Sequence, residues 1–190
     1  MMKKKLILII IQTILFSCKT LSQNNIKMEK IDIKTFKNQE LQLNKTYTDK
    51  VKDTIIEYGL RDDYFIKNTI VERSSYFTKK TYYRNNLQLK TKANYFYSIP
   101  VGISEKYDEK GNLIEKINWD ELNKRTFSIE DLIVKMKKEF DIDLEQSKKI
   151  GVGIDASHYI IIVNGVTQRI IKINAQTGEV ISDETVEYEK

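Results

Sequence analysis

Read from its start, the chain sets three lysines, Lys3, Lys4 and Lys5, before an uncharged apolar run from Leu6 to Phe16. A positive segment ahead of a run too short to cross a bilayer comfortably is the pattern of a secretory signal peptide. Lys19 to Asn25 is polar and without period, and it predicts a tether. Ile31, Ile33 and Phe36 alternate with polar residues as in a short strand, and Thr48-Asp49-Lys50-Val51 reads as the start of a short helix through Ile55 and Ile56. From Tyr58 to Trp119 aromatic and β-branched residues dominate. Tyr64-Phe65-Ile66, Thr69-Ile70-Val71, Ser75-Tyr76-Phe77-Thr78, Thr81-Tyr82-Tyr83, Leu87-Gln88-Leu89, Asn94-Tyr95-Phe96-Tyr97, Ile103 to Tyr107 and Leu113 to Trp119 predict successive short strands. Asn85-Asn86, Pro100 with Gly102, and Asp108 to Asn112 supply the turns, and such short connections imply an antiparallel meander.

The period changes at Phe127. Ile129, Leu132, Ile133, Met136 and Phe140 fall on one face of a helix over Phe127 to Phe140, with Ser128 as N-cap, Asp131 three residues on, and Phe127 placed to staple onto Leu132. Lys135, Lys137 and Lys138 suit the negative end of the helix dipole. Ser157 to Val163 is almost continuously apolar, as in a strand covered on both faces, and Asn164-Gly165 is a strong hairpin signal. Val166 to Ile173 returns, Asn174 to Gly178 turns, and Glu179 to Tyr188 closes a three-stranded sheet. The expected fold is therefore α+β: an antiparallel β-meander followed by one amphipathic helix packed on a three-stranded antiparallel sheet. Its segments are a leader at 1–17, a tether at 18–25, a tyrosine-rich β region at 26–120 and a helix plus β-meander at 121–190.

The chain has 190 residues and a formal charge of +5; three of its lysines and no acid lie in the leader, so the remaining 173 residues carry +2. Charges of both signs are interspersed, without the basic footprint of a nucleic-acid binder. Cys18 is the one cysteine, so no intramolecular disulfide is available and the fold must stand on packing.

Leu15-Phe16-Ser17-Cys18 resembles the bacterial lipoprotein lipobox, in which an aliphatic, a variable and a small residue precede an invariant cysteine; Phe16 is bulkier than the usual occupant. The resemblance implies that Cys18 becomes the first residue of the mature protein and carries the acyl chains, and several chains together make a stable anchor. Lys19-Thr20-Leu21-Ser22-Gln23 holds no aspartate, which by analogy with lipoprotein sorting implies an outer-membrane, periplasm-facing position.

Two further resemblances lie downstream. Tyr58, Tyr83 and Tyr107 each precede a turn followed by a leucine, and they stand 25 and 24 residues apart, a period that fits a stacked two-strand unit. Gly102 to Glu115, with Tyr107, a polar turn, Gly111 and Leu113, resembles a MORN-type repeat, and an ordinary tyrosine-rich meander accounts for the same residues. Asn174-Ala175-Gln176-Thr177-Gly178-Glu179-Val180, with the preceding helix and Tyr159 early in its strand, resembles the PepSY-like modules of exported bacterial proteins, except that Asn174 stands in place of an aspartate.

Catalytic chemistry is not evident. Asp155, Ser157 and His158 hold the residue types of a nucleophile triad, but neighbours on an extended strand point to opposite faces. With one histidine and no free thiol, a zinc site or a thiol enzyme finds no ligand set. Asp141, Asp143 and Glu145 alternate without the glycine and the other ligands of a calcium loop. Gly151-Val152-Gly153 lacks the third glycine and the strand-to-helix setting of a phosphate cradle.

Surface recognition remains. Tyr76, Phe77, Tyr82, Tyr83, Tyr95, Phe96 and Tyr97 crowd the central meander, and adjacent aromatics on a strand face both sides of a sheet; half can fill the core while the rest, drawn from Tyr76, Tyr82, Tyr83, Tyr95 and Tyr97, meet a partner or the chain's own N-terminal segment. These expectations describe a lipid-anchored, non-enzymatic envelope protein without a cofactor. It is held to the membrane through acylated Cys18 and binds another protein. A toxin is the partner that the MORN-like resemblance implies, as for an immunity protein; a protease is the one that the PepSY-like resemblance implies. The alternative is a lipoprotein that binds or hydrolyses envelope glycans.

Overall fold

The structure, a computed structural model, describes residues 28–33, 43–122, 125–145 and 149–187. The leader, Cys18 and the tether lie outside the described residues.

Seven strands, β1 (Thr46–Val51), β2 (Thr54–Leu60), β3 (Tyr64–Val71), β4 (Tyr76–Tyr83), β5 (Leu89–Phe96), β6 (Ile99–Tyr107) and β7 (Leu113–Asn118), pair antiparallel in chain order. The meander is as expected, but its strands are longer: polar pairs such as Lys67-Asn68 and Lys79-Lys80 continue the alternation between apolar ends that look separate in sequence. The expected helix from Thr48 is instead the β1–β2 hairpin, turning at Lys52 with a φ of 54°. Thr46, Thr48, Val51, Thr54, Ile55 and Ile56 are β-branched, and their packing on a pleated surface outweighs the accidental helical spacing of Val51, Ile55 and Ile56. Pro100 lies inside β6 rather than in a turn. It sits opposite Tyr95 on β5, while β7 pairs only from Ile103 onward, so its missing N–H costs no ladder bond on the β7 side.

Next come a short helix α1 (Trp119–Leu122), the amphipathic helix α2 (Ile129–Phe140), and strands β8 (Ile150–Asp155), β9 (His158–Asn164), β10 (Gln168–Asn174) and β11 (Val180–Val186). The second sheet is four-stranded, in the order β11-β10-β9-β8, which corrects the expected three. The extra strand is Gly151-Val152-Gly153 and its neighbours; two glycines hide the alternation, yet Val152 is buried. Among the described residues the expected amphipathic helix, α2, is joined by a second, short one, α1, which packs on β6 and β7. Ser128 caps α2 reciprocally: its Oγ accepts from the Asp131 N–H at 3.1 Å, and its own N–H donates to Asp131 Oδ2 at 3.0 Å.

Two apolar clusters hold the protein together. One joins Ile31 of the N-terminal segment to Tyr58, Leu60, Phe65, Tyr82 and Leu89. The other joins Phe96 and Ile99 of the large sheet to Ile129, Leu132 and Met136 of α2 and to Val152, Tyr159, Ile161, Ile171 and Ile173 of the small sheet. The strand register puts Tyr58, Phe65, Tyr82, Leu89, Tyr76, Phe96 and Ile99 on the same face of the large sheet. That face is therefore covered at one end by residues 28–31 and at the other by the helix and small sheet.

Hydrogen bonds fasten both covers. Glu29 accepts from Tyr82 Oη at 2.7 Å and from Lys80 Nζ at 2.6 Å, and Met28 packs on Gly111 in the β6–β7 turn. At the other end Tyr97 Oη and Ser75 Oγ both donate to the Leu144 carbonyl, at 2.7 and 2.5 Å, and the Ser98 N–H donates to the Val152 carbonyl at 3.3 Å.

Candidate functional site

The opposite face of the large sheet is the candidate site. One cross-strand row on it runs Ile55, Ile70, Phe77, Tyr95, Pro100 over β2 to β6. The next row runs Glu57, Asn68, Lys79, Ala93, and the one after it Gly59, Ile66, Thr81, Thr91. Ile55, Ile66, Ile70, Phe77 and Tyr95 are half-buried and none is fully buried. The two clusters that close the other face draw on none of them. Phe77 and Tyr95 stack face to face with centroids 5.1 Å apart and planes 12° from parallel, an aromatic pair that forms the platform of this face.

Beside the platform lies a concavity of about 280 Å³ lined by Tyr64, Lys79, Thr81, Lys90, Thr91, Ala93 and Tyr95. Its floor is low because Ala93 stands between taller neighbours on a strand, where a small residue leaves a hollow. Thr81, itself buried, is satisfied by Thr91 at 2.6 Å between their Oγ1 atoms. The Lys90 ammonium lies 5.2 Å from the Tyr64 ring centre and 5.4 Å from that of Tyr83, with Asp63 at 3.3 Å, a cation held over two aromatic faces. Asn68 donates to Glu57 at 3.2 Å, and its Oδ1 is buried without a partner among the described residues.

The five tyrosines singled out from sequence separate by face. Tyr82 is 1% exposed, and burial together with its bond to Glu29 pushes its hydroxyl well above the usual range. Tyr76 packs on Phe96 with centroids 4.8 Å apart, and burial, with the charges of Glu130 and Glu145, raises its pKa to about 12. Tyr97 meets Phe96 edge-on and is spent on the Leu144 carbonyl. Tyr83 and Tyr95 stand on the open face, Tyr83 with its hydroxyl donated to the Tyr107 carbonyl at 2.8 Å. Phe77, one of the crowded aromatics, also stands on the open face; sequence reasoning missed Tyr64, Lys79 and Lys90. Their alternation within β3, β4 and β5 is the signal that finds them, once the strands are drawn at full length.

The remaining sequence candidates are placed as follows. Ser157 falls in the β8–β9 turn, not in the strand, so the opposite-face argument does not apply to it; its Oγ is 3.4 Å from His158 Nδ1, at the outer limit of a hydrogen bond. Ser157 and Asp155 are exposed. Among the described residues no group of three or more His, Cys, Asp or Glu is placed to hold a metal ion. No helix among them is long and apolar enough to cross a membrane.

The turns behind the two downstream resemblances are well formed. Asp108 Oδ1 accepts from the N–H groups of Lys110 and Asn112, at 2.9 and 2.8 Å, and Gly111 has a φ of 87°. Asn174 Oδ1 does the same for Gln176 and Thr177, at 2.8 and 3.1 Å, the turn chemistry expected of asparagine and aspartate alike. Tyr58, Tyr83 and Tyr107 lie near the same end of alternate strands, but Tyr58 and Tyr83 face opposite sides of the sheet.

Comparison with family models, with curated proteins and with solved structures found no match for this chain. Fold and site define an α+β protein, mostly antiparallel sheet, with one sheet face left open among the described residues.

Proposed function

We propose that this is a lipid-anchored cell-envelope protein that binds another protein through the open face of its seven-stranded sheet and performs no catalysis. The observation that carries the reading is the Phe77–Tyr95 platform in a half-buried apolar row that nothing in the two cores covers. Contiguous apolar surface of this kind marks interaction sites, and tyrosine gives contact area at low entropic cost. Acylation at Cys18 holds the protein to the outer membrane, periplasm-facing, and the polar residues 19–25 let the sheet reach a partner. A MORN-like meander and a PepSY-like helix-and-sheet unit fit a toxin or a protease as that partner.

The test is affinity capture from detergent-solubilised envelopes with the full acylated chain, comparing wild type with Tyr95→Ala. A stoichiometric protein that is held by wild type, lost with Tyr95→Ala and cross-linked to β3–β5 is the expected outcome. An empty capture together with turnover of an envelope glycan would replace this reading with the glycan-acting one. The anchor is read separately: Cys18→Ala is expected to release the protein from membranes or to leave an unprocessed precursor, and wild-type fractionation and migration would refute lipidation.

A further inference from the structure

The open face carries charge as well as apolar surface, and the charge is unevenly matched. On this face Lys50 is paired with Glu72 at 2.8 Å, Lys90 with Asp63 at 3.3 Å and Lys106 with Glu115 at 3.4 Å. Lys79, in the middle strand, has no carboxylate partner among the described residues. Its cross-strand neighbours on this face are Asn68 and Ala93, neither of them charged. It is half-buried and lines the hollow over Ala93 together with Tyr64 and Tyr95. Holding a lysine partly out of water without a counter-charge costs free energy, and an incoming anion recovers it. Among the described residues none that lines the hollow is acidic, so no carboxylate there competes for Lys79.

We infer that the hollow between Tyr64 and Tyr95 takes an aspartate or glutamate side chain of the partner protein. The carboxylate meets Lys79, and the apolar residues flanking it lie on the Phe77–Tyr95 platform. The inference rests on the protein-binding reading above and names the chemistry of the partner's contact segment. A protein segment is preferred to an acidic sugar because the apolar row beside the hollow crosses five strands, roughly 19 Å at the usual strand spacing. One sugar ring leaves most of that row wet, whereas an extended or helical segment covers it. The charge that steers such a segment is local, and its contribution falls as salt rises.

The chain contains three alanines, Ala93, Ala156 and Ala175, so labelling alanine methyls with ¹³C yields a reporter on the floor of the hollow and two remote controls. The probe is phenylacetate, a ring and a carboxylate in one small molecule, titrated into the full chain in detergent micelles, with phenylacetamide as its neutral counterpart. The Ala93 signal is expected to shift saturably with phenylacetate, while Ala156 and Ala175 stay still. Phenylacetamide is expected to bind at least several-fold more weakly. Lys79→Met, which keeps the stem and removes the charge, is expected to lose roughly five-fold in phenylacetate affinity, and Lys79→Arg to retain it.

An Ala93 signal that ignores phenylacetate, or responds equally to both probes, overturns the inference. Binding of glucuronate without phenylacetate overturns it in favour of an acidic glycan. Failure of the broader reading is read apart from this, by the envelope capture. A partner that depends on Tyr95 but is held equally by Lys79→Met refutes the carboxylate contact and leaves protein binding standing. An empty capture refutes protein binding itself, and with it a protein source for the carboxylate.

Discussion

The Phe127 ring lies against Gly178 in the space that a β-carbon on Gly178 would need, and Gly178 adopts a φ of 72°. Both facts demand glycine. Gly178→Ala therefore meets left-handed backbone strain and overpacking together, for a combined loss of about 2–4 kcal/mol. Phe127 also gives its carbonyl to Tyr159 Oη at 2.9 Å, so displacing the ring disturbs the cap of α2 and the small sheet at once. Gly151→Ala, where nothing lies within 4 Å of the added carbon, is expected to change stability by less than about 1 kcal/mol. Chemical denaturation of the two variants checks the contrast.

Glu29 is expected to make acid stability depend on the N-terminal segment. Burial raises its carboxyl, but the bonds from Lys80 and Tyr82, with the charges of Lys80 and Lys67, outweigh burial and hold it below its ordinary value of 4.5. A carboxyl whose pKa is depressed in the folded state stabilises the fold above its unfolded pKa, and that share is lost as pH falls through the folded value. Wild type is therefore expected to lose more stability than Glu29→Gln as pH drops from 5 toward 3, and parallel thermal-melt curves for the two proteins would refute the coupling.

How far this fold is legible in the sequence follows from which signals are local. The capping box at Ser128 and Asp131 and the asparagine turn at Asn174 act within four residues, and both stand where the sequence puts them. The β1–β2 hairpin was missed because Val51, Ile55 and Ile56 imitate a helical stripe, and what decides against it is pairing with β3, which lies further along the chain. The edge strand β8 was hidden by Gly151 and Gly153. The candidate face depended on register: composition finds the tyrosines, but only pairing shows that Tyr82 is core and Tyr95 is surface. Lys79 carries no local signal, since its meaning lies in the neighbours that fail to pair with it.

Tyr82 and Tyr95 should therefore respond oppositely to truncation. Tyr82→Ala empties a core position and removes the donor to Glu29, for an expected loss of about 3–5 kcal/mol. Tyr95→Ala gives up one stacked pair on an open face and is expected to cost about 1 kcal/mol or less, while removing capture of the partner. Equal losses of stability in the two variants would show that the open face is covered in the folded protein, and would remove the basis of the proposed interface.

The Leu144 carbonyl, which ties the loop after α2 to the large sheet, is expected to be the clearest case of coupled losses. Leu144 is fully buried, and its oxygen is served by two donors from the turns that flank β4 and β5, Ser75 Oγ and Tyr97 Oη. Removing either donor leaves the other, so Ser75→Ala and Tyr97→Phe should each cost only about 0.5–1.5 kcal/mol. The double variant strands a buried acceptor, which adds a desolvation penalty of about 1–3 kcal/mol beyond the sum of the singles. Because the same oxygen ties the loop after α2 to the meander, the double variant should also separate the unfolding of the two sheets. Two transitions by near-ultraviolet circular dichroism, where wild type shows one, are the expected result. Additive losses with a single transition would mean that the Ser98–Val152 bond and the apolar packing of Phe96 and Ile99 against α2, rather than the shared carbonyl, make the two sheets fold as a unit.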